Sequence, residues 1–385
     1  MKDYDEEVCP MGAYLDNSAT TKVCEKAKKN MLDAIESCWG NPSSLHEKGI
    51  EADALLLRAR ETVAKALCCE RDEIFFTSGG TEGNNLAVFG AAYAGRRKGN
   101  RVITSAVEHP SVQKAFDRLE KEGFEVIRIG TDEFGTLDLT ALGDAINEST
   151  VLVSIMAVNN EVGTVQPVDE IASLIKRKGS PALFHIDAVQ AFGKIPLNVR
   201  KLGADLMTVS SHKIHGPKGV GALFVKKGTR LTPVAVGGGQ EKDLRPGTEP
   251  MPAIAGFMGA VEELTVRSSL EKITALRDGF TEKITERDGI VINSPPTALP
   301  YIVNISLPGY RSETLLNFLS DSGFYVSSGS ACAKGHKSHV LTAMKLSDRL
   351  IDSSLRISLS RFTTEQELDS FLTALDRAMK VIMKK

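Results

Sequence analysis

Glu73-Ile-Phe-Phe-Thr77-Ser-Gly-Gly-Thr81-Glu-Gly-Asn-Asn85 runs from an apolar stretch through a glycine turn into a helical pattern. The apolar residues read as a strand over 73–77, and Gly83–Ala94 reads as the helix that follows. A strand that is apolar at nearly every position is buried on both faces, which is the habit of a parallel sheet between helices. Working outward, the alternation repeats: strand Arg101–Ser105, helix Ser111–Glu122, strand Glu125–Ile129. It then recurs as strand Val151–Val158, helix Pro167–Lys178 with a proline suited to the first turn, and strand Leu183–Ile186. Strands Leu206–Ser210 and Val220–Val225 follow. The pattern predicts a large α/β domain over 14–252 with a mostly parallel sheet covered by helices.

After Pro252 the pattern changes to a long helical stretch over 253–286, then strand Tyr301–Leu307, helix Glu313–Ser322, two more strands and a last helix. That helix opens on a Thr363-x-x-Gln366 capping box and aligns Leu368, Phe371, Leu372, Leu375, Met379 and Ile382 on one stripe. Residues 253–385 are therefore expected to form a smaller α+β domain, to which 1–13 is a candidate addition. A chain of 385 residues is expected to make two or three domains at about 150 residues each. Its 47 Lys and Arg against 49 Asp and Glu leave a net charge of −2, so no whole-chain basic field draws nucleic acid or anionic lipid. The apolar runs fall far short of the roughly 18 residues of a membrane span. The acidic start, Met1-Lys-Asp-Tyr-Asp-Glu-Glu7, lacks a secretory pattern, and the expectation is a soluble, cytoplasmic protein. Six cysteines, at 9, 24, 38, 68, 69 and 332, are too sparse for a disulfide scaffold.

Three segments carry chemistry. Thr77–Asn85 sits where a strand becomes a helix, so its small residues can turn backbone N–H groups, those of Gly80 and Thr81 among them, toward an anion. The alternative is a tight turn that needs glycine for conformation alone. The segment fits neither the dinucleotide nor the P-loop glycine pattern. Ser210-Ser-His212-Lys213-Ile-His-Gly216-Pro-Lys-Gly219 follows the strand Leu206–Val209, at the edge where α/β sheets bind ligands. Lys213 there is either a solvated loop charge or a Schiff-base lysine; His212 and His215 have metal-like spacing but no accompanying carboxylate or cysteine pattern. Asp187, in His185-Ile-Asp187-Ala-Val-Gln190, ends another strand and is either a helix N-cap or the acid that partners a protonated pyridine nitrogen.

Five stretches resemble cysteine desulfurases: Tyr14–Thr21, Gly40–His46, Thr77–Asn85, Asn159–Gln166 and Ser211–Gly219. Ser327-Ser-Gly-Ser-Ala-Cys332 and Leu355-Arg-Ile-Ser-Leu-Ser-Arg-Phe-Thr363 complete the match in family order. The family is a branch of the class V aminotransferase-like, fold-type I pyridoxal phosphate enzymes, homodimers with active sites at the subunit interface. The resemblance implies Lys213 as the Schiff-base lysine, Asp187 as partner of the pyridine nitrogen, and His109 as the ring stacked on the cofactor. Gly80, Thr81, Ser210 and His212 would hold the phosphate, with Thr248 reaching it from the other subunit. Gln190 and Asn159 would bond the phenolic oxygen and position the substrate, and Arg356 would clamp the substrate carboxylate.

Cys332 is the candidate sulfur acceptor. It lies among small residues, with Lys334, His336 and Lys337 nearby to favour the thiolate. Cys332, His336 and His339 also have the spacing of a metal half-site, although the segment supplies no fourth ligand. Cys68 and Cys69 end an apolar helical run and read as core. The Ser-Gly-Ser-Ala-Cys signature resembles the first group of desulfurases, whose long loop delivers the persulfide to an acceptor. Leu341, which reads as the start of the next helix, comes nine positions after Cys332, a little sooner than is usual in that group. The implied reaction takes L-cysteine to L-alanine with sulfur left on Cys332 as persulfide, for an iron–sulfur scaffold or a tRNA-thiolation enzyme; no metal and no direct nucleic-acid contact is implied. Rival readings are an aminotransferase or selenocysteine lyase with the same cofactor, and a catalytically silent sulfur-carrier scaffold.

Overall fold

The computed structural model describes residues 12–328 and 337–384. The described chain divides into two compact units: a larger one of 20–160 and 164–268, and a smaller one drawn from 12–19, 161–163, 269–328 and 337–384. Strand β1 (Ala13–Tyr14) belongs to the smaller unit. The larger unit opens with α1 (Glu25–Ser37) and α2 (Glu47–Leu67), then β2 (Ile74–Thr77), α3 (Gly80–Gly95), β3 (Arg101–Ser105), α4 (Pro110–Lys121) and β4 (Glu125–Ile129). It continues through α5 (Leu139–Ala145), β5 (Thr150–Met156), α6 (Val168–Arg177), β6 (Leu183–Asp187), α7 (Val199–Leu202), β7 (Leu206–Ser210), β8 (Gly221–Val225) and α8 (Met251–Glu262).

Seven strands of this unit form one sheet in the order β2-β8-β7-β6-β5-β3-β4. The neighbours from β7 to β4 pair in parallel, and β8 runs antiparallel to both β7 and β2. Every strand but β8 therefore delivers its C-terminal end to the same edge, where Thr77, Ser105, Met156, Asp187 and Ser210 lie. Every residue of β2, β5, β7 and β8 is buried, as continuous apolar runs require. Helix α3 is buried from Leu86 through Ala92, and α4 turns Val112, Ala115, Phe116 and Leu119 to the same core.

Helix α9 (Val266–Thr285) leads to β9 (Val291–Ile292), β10 (Ile302–Ser306), α10 (Ser312–Asp321), β11 (Phe324–Tyr325), α11 (His339–Ala343), α12 (Asp348–Ile351), β12 (Ser354–Ser358) and α13 (Glu365–Val381). The smaller unit pairs β12, β10 and β9 antiparallel and β1 with β11 in parallel. The expected single helical stretch over 253–286 is two helices, α8 and α9. Gly256 and Gly259 let α8 pack closely on α1: a Cβ on Gly259 would come within 2.8 Å of the Lys26 carbonyl oxygen. Helix α8 thus sits in the larger unit, and the division falls at 268/269, in the first turn of α9. The last helix is capped one residue later than the sequence suggests, by Thr364 and Glu367, because Thr363 Oγ1 accepts instead from Ser360 N–H. Cys68 is exposed rather than core: α2 ends at Leu67, and Cys68 takes the left-handed C-cap conformation with φ 59°. Cys69 is half-buried, and burial pushes its thiol up to about 12. Among the described residues no helix is long and apolar enough to cross a membrane.

Candidate active site

The common edge of the sheet gathers most of the candidate residues of the larger unit. Between β2 and α3 the chain turns at Gly79, whose φ of +148° is open only to glycine. Gly80 is needed for space: a Cβ there would meet Val189 Cγ2 at 2.8 Å. Across the turn, a Cβ on Gly221 would meet Gly79 Cα at 2.9 Å. These glycines bring the first turn of α3 close to the end of β7, where Ser210 is fully buried and its Oγ has no hydrogen-bond partner among the described residues. The helix has no side-chain cap on its first N–H groups. An orphaned hydroxyl beside an uncapped helix N-terminus fits a phosphate, which would give both of them their missing acceptor.

Directly after β7, Ser211–Lys213 forms one 3-10 turn, placing His212 and Lys213 half-buried at the edge. Thr21 ties this turn from outside: its N–H and its hydroxyl both donate to the His212 carbonyl, at 3.0 and 2.9 Å. Burial, with the charges of Lys213, Lys218 and Lys194, pushes the His212 imidazole down to about 4. The ring is therefore neutral near pH 7, and a bound phosphate would offset those cations. His212 Nδ1 lies 3.3 Å from Thr20 Oγ1, whereas His215 Nδ1 faces the Lys22 carbonyl at 2.9 Å, so the two rings are held by different partners.

Asp187 closes β6, the strand beside β7, and is 5% exposed. Oδ1 accepts from Val189 N–H at 3.0 Å and Oδ2 from the Asn84 amide at 2.7 Å. No helix begins directly after Asp187, where the chain enters a turn, so Asp187 is not an N-cap, and among the described residues no cation pairs with it. A buried carboxylate held by two N–H dipoles is stabilised but not neutralised, which fits it to meet a cationic ring nitrogen. Gln190, three residues on, is buried and accepts through Oε1 from Lys194 Nζ at 2.8 Å. A lysine can only donate, so the amide must present its oxygen to Lys194 and keep its NH2 for another acceptor.

His109 is exposed and caps α4, its Nδ1 accepting from Ser111 N–H at 3.1 Å. Glu108 beside it is fully buried; Oε1 accepts from Ser105 Oγ at 2.7 Å and Met156 N–H at 2.9 Å, and burial pushes its carboxyl up to about 8. Asn159 is buried, with Nδ2 donating to the Val107 carbonyl at 3.1 Å. Thr81 and Thr248 stand exposed, Thr81 in the first turn of α3 and Thr248 just before α8.

In the smaller unit, Arg356 lies mid-strand in β12, 7% exposed, and donates through Nη2 to Asp16 Oδ1 at 2.7 Å. Its backbone is locked to Ser327 by N–H to carbonyl bonds in both directions. Cys332 and His336 lie outside the described residues. Helix α11 starts at His339, two residues before the expected Leu341, because the Ser338 hydroxyl caps it by accepting from Leu341 N–H. Ser338 also donates to Glu161 Oε2 at 2.5 Å, and burial pushes that carboxyl up to about 7.

Sequence reasoning missed Asn84, Ser111 and Lys194. Asn84 lies inside the glycine motif, but its acceptor Asp187 is 103 residues away.

The chain matches the aminotransferase class-V family model over residues 13–371. It is 43% identical to a NifS/IcsS protein homolog of Lactobacillus delbrueckii subsp. bulgaricus, across 94% of this chain and 96% of that protein. It is 40% identical to the cysteine desulfurase IscS of Dictyoglomus turgidum, across 95% of this chain and 94% of that one. A solved structure of a NifS-like protein superposes with a TM-score of 0.92 at 38% identity, covering 97% of this chain and all (100%) of that one. The mostly parallel sheet, its loaded edge and these likenesses agree, and the chain belongs to the class-V aminotransferase family and, within it, to the pyridoxal-phosphate-dependent cysteine desulfurases.

Proposed function

We propose that this chain takes L-cysteine as substrate, releases L-alanine and keeps the sulfur as a persulfide on Cys332. The observation that carries the assignment of roles is Asp187, a buried carboxylate held by two N–H dipoles on the strand beside the one that ends at Ser210–Lys213. Bound pyridoxal phosphate supplies an electron sink for bond breaking at the substrate's α-carbon. Asp187 would hold the cofactor's ring nitrogen, favouring its protonated form by charge. Ser210 Oγ, His212 and the N–H groups of Gly80 and Thr81 would hold the phosphate, and Thr248 would serve the site of the other protomer in a homodimer. Gln190 Nε2, its orientation fixed by Lys194, donates to the phenolic oxygen, and Asn159 orients the substrate.

Lys213 Nζ would hold the cofactor at rest and would move the substrate's α-proton during turnover. The planar fork of Arg356 binds the substrate carboxylate. The Cys332 thiolate attacks the substrate's sulfur: an S–S bond forms as the C–S bond breaks. The electron pair of the broken bond stays with carbon, which takes a proton, with His109 as its carrier, and leaves as alanine. An acceptor protein in the cytoplasm, an iron–sulfur scaffold or a tRNA-thiolation enzyme, then takes the persulfide sulfur.

The test is alanine and sulfide release from L-cysteine with a thiol reductant, on cofactor-loaded wild type, Cys332→Ala and Lys213→Ala. Release by wild type, lost in both variants, is the expected result. Sulfide release retained by Cys332→Ala would remove that residue from the reaction. No alanine from chromophore-bearing wild type would overturn the substrate and favour selenocysteine or amino transfer.

A further inference from the structure

Two buried polar residues beside the site, Asn84 and Ser111, are linked to each other as well as to residues with roles above. Asn84, in the second turn of α3, is 1% exposed. Its amide nitrogen has two hydrogens, one donated to Asp187 Oδ2 at 2.7 Å and the other to Ser111 Oγ at 2.9 Å. Its Oδ1 has no hydrogen-bond partner among the described residues. Turning the amide over would set that oxygen against the Asp187 carboxylate, so the donors must stay where they are. Ser111 Oγ accepts from Asn84 and has its own hydrogen left for His109 Nδ1, 2.8 Å away. Pro110, at the first position of α4, has no N–H, so Ser111 supplies the helix's first backbone donor, and it too goes to His109 Nδ1, at 3.1 Å. Two donors converge on Nδ1, and the proton of the neutral ring must sit on Nε2. A cap alone needs only the backbone N–H; the hydroxyl and its link to Asp187 go beyond capping.

We propose that Asn84 and Ser111 are positioning residues that join Asp187 to His109, one chain of donors that orients the carboxylate at one end and fixes the imidazole tautomer at the other. His109 then exchanges protons through Nε2 alone. The inference rests on the reading of Asp187 as the ring-nitrogen partner and His109 as the proton carrier.

The test uses cofactor-loaded protein and the variants Ser111→Ala, Ser111→Thr and Asn84→Leu. Three quantities are read: the His109 ring nitrogens by 15N–1H correlation, the absorbance of the bound cofactor against pH, and kcat with KM. Ser111→Ala is expected to move the Nδ1 resonance toward that of a less bonded nitrogen, shift the pH profile of kcat, and lower kcat about tenfold with KM unchanged. Ser111→Thr, which keeps the hydroxyl, should return all three readings to within about twofold of wild type. Asn84→Leu cuts both ends and should also move the absorbance titration. A folded Ser111→Ala with wild-type ring resonances and pH profile overturns the proposal. So does equal loss in the Ala and Thr variants with the ring resonances unmoved, which marks packing. Should Asn84→Leu fail to fold, the Ser111 pair decides. His109→Ala and Asp187→Asn serve as controls: wild-type turnover in them would sink the functional reading, while the ring resonances test the donor chain independently of it.

Discussion

Asp187 in the larger unit and Arg356 in the smaller are both charged, both on a strand and both nearly buried, at 5% and 7% exposure, yet they are held in opposite ways. Asp187 receives two N–H dipoles and no cation among the described residues, whereas Arg356 is paired with the Asp16 carboxylate at 2.7 Å. Dipoles lower the cost of burying a charge without cancelling it; a counter-ion cancels much of it. On the proposed reading, the dipole-held carboxylate of the larger unit serves a cation that stays bound, and the ion-paired arginine of the smaller unit serves a carboxylate that comes and goes. Asp187→Asn is the strongest way to break this contrast. It keeps the shape and removes the charge, and kcat for alanine release should fall about 10²- to 10³-fold while the protein still folds. A fall of less than about threefold would mean that the two N–H donors, not the charge, are what the site uses.

Arg356→Lys sharpens the other side. Lysine keeps the positive charge but loses the planar fork, so KM for cysteine should rise about ten- to hundredfold with kcat changed far less. Steady-state kinetics on L-cysteine separates the two. A fall in kcat with KM unchanged would place Arg356 in support of the fold through Asp16 rather than on the substrate.

The same contrast explains what the sequence makes legible. The strands of the larger unit could be read because most are largely apolar and buried, as in β2, β5, β7 and β8, and the edge residues Asp187 and Ser210 follow from where such runs end. The neutral donors could not be read. Asn84 meets Asp187 across 103 residues and Ser111 across 27, and local periodicity carries no signal over such distances. Lys194 is only four residues from Gln190, but a lysine near a helical turn reads as solvated, and its burial comes from the packing around it. Nor does any local pattern assign 161–163 to the smaller unit, which Glu161 joins through the Asn304 amide and the Ser338 hydroxyl. The misplaced cap of α13 has a simpler cause: Thr363 and Thr364 are adjacent, and only the bond to Ser360 N–H tells them apart.

The smallest expected effect compares the two units through their buried acids, Glu108 and Glu161. Burial raises both from an ordinary value of 4.5, to about 8 for Glu108 and about 7 for Glu161. A folded value above the unfolded one means that the native chain keeps a proton the unfolded chain has released. The stability each group contributes is therefore complete below about 4.5 and is lost as pH rises, until about 8 for Glu108 and about 7 for Glu161. One such proton is worth about 1.4 kcal/mol per pH unit, or about 1–2 °C in Tm for a chain of this size. Between pH 7 and 8 the larger unit's Glu108 starts to give up its proton, whereas Glu161 is already about half ionised at the start of that interval and nearly completes its change there. Glu108→Gln retains an oxygen for Ser105 and Met156 N–H and cannot ionise, so its Tm should decline less than wild type's across that interval. Glu161→Gln should differ from wild type mainly below about pH 7, with a smaller difference than Glu108→Gln between pH 7 and 8. Calorimetry from pH 5 to 8.5 at constant cofactor loading reads both. If Glu108→Gln shows the full wild-type slope from pH 7 to 8, Glu108 is already ionised at neutral pH. The larger unit would then hold a second buried carboxylate, bonded by the Ser105 hydroxyl and the Met156 N–H, to set beside Asp187 in the contrast with ion-paired Arg356.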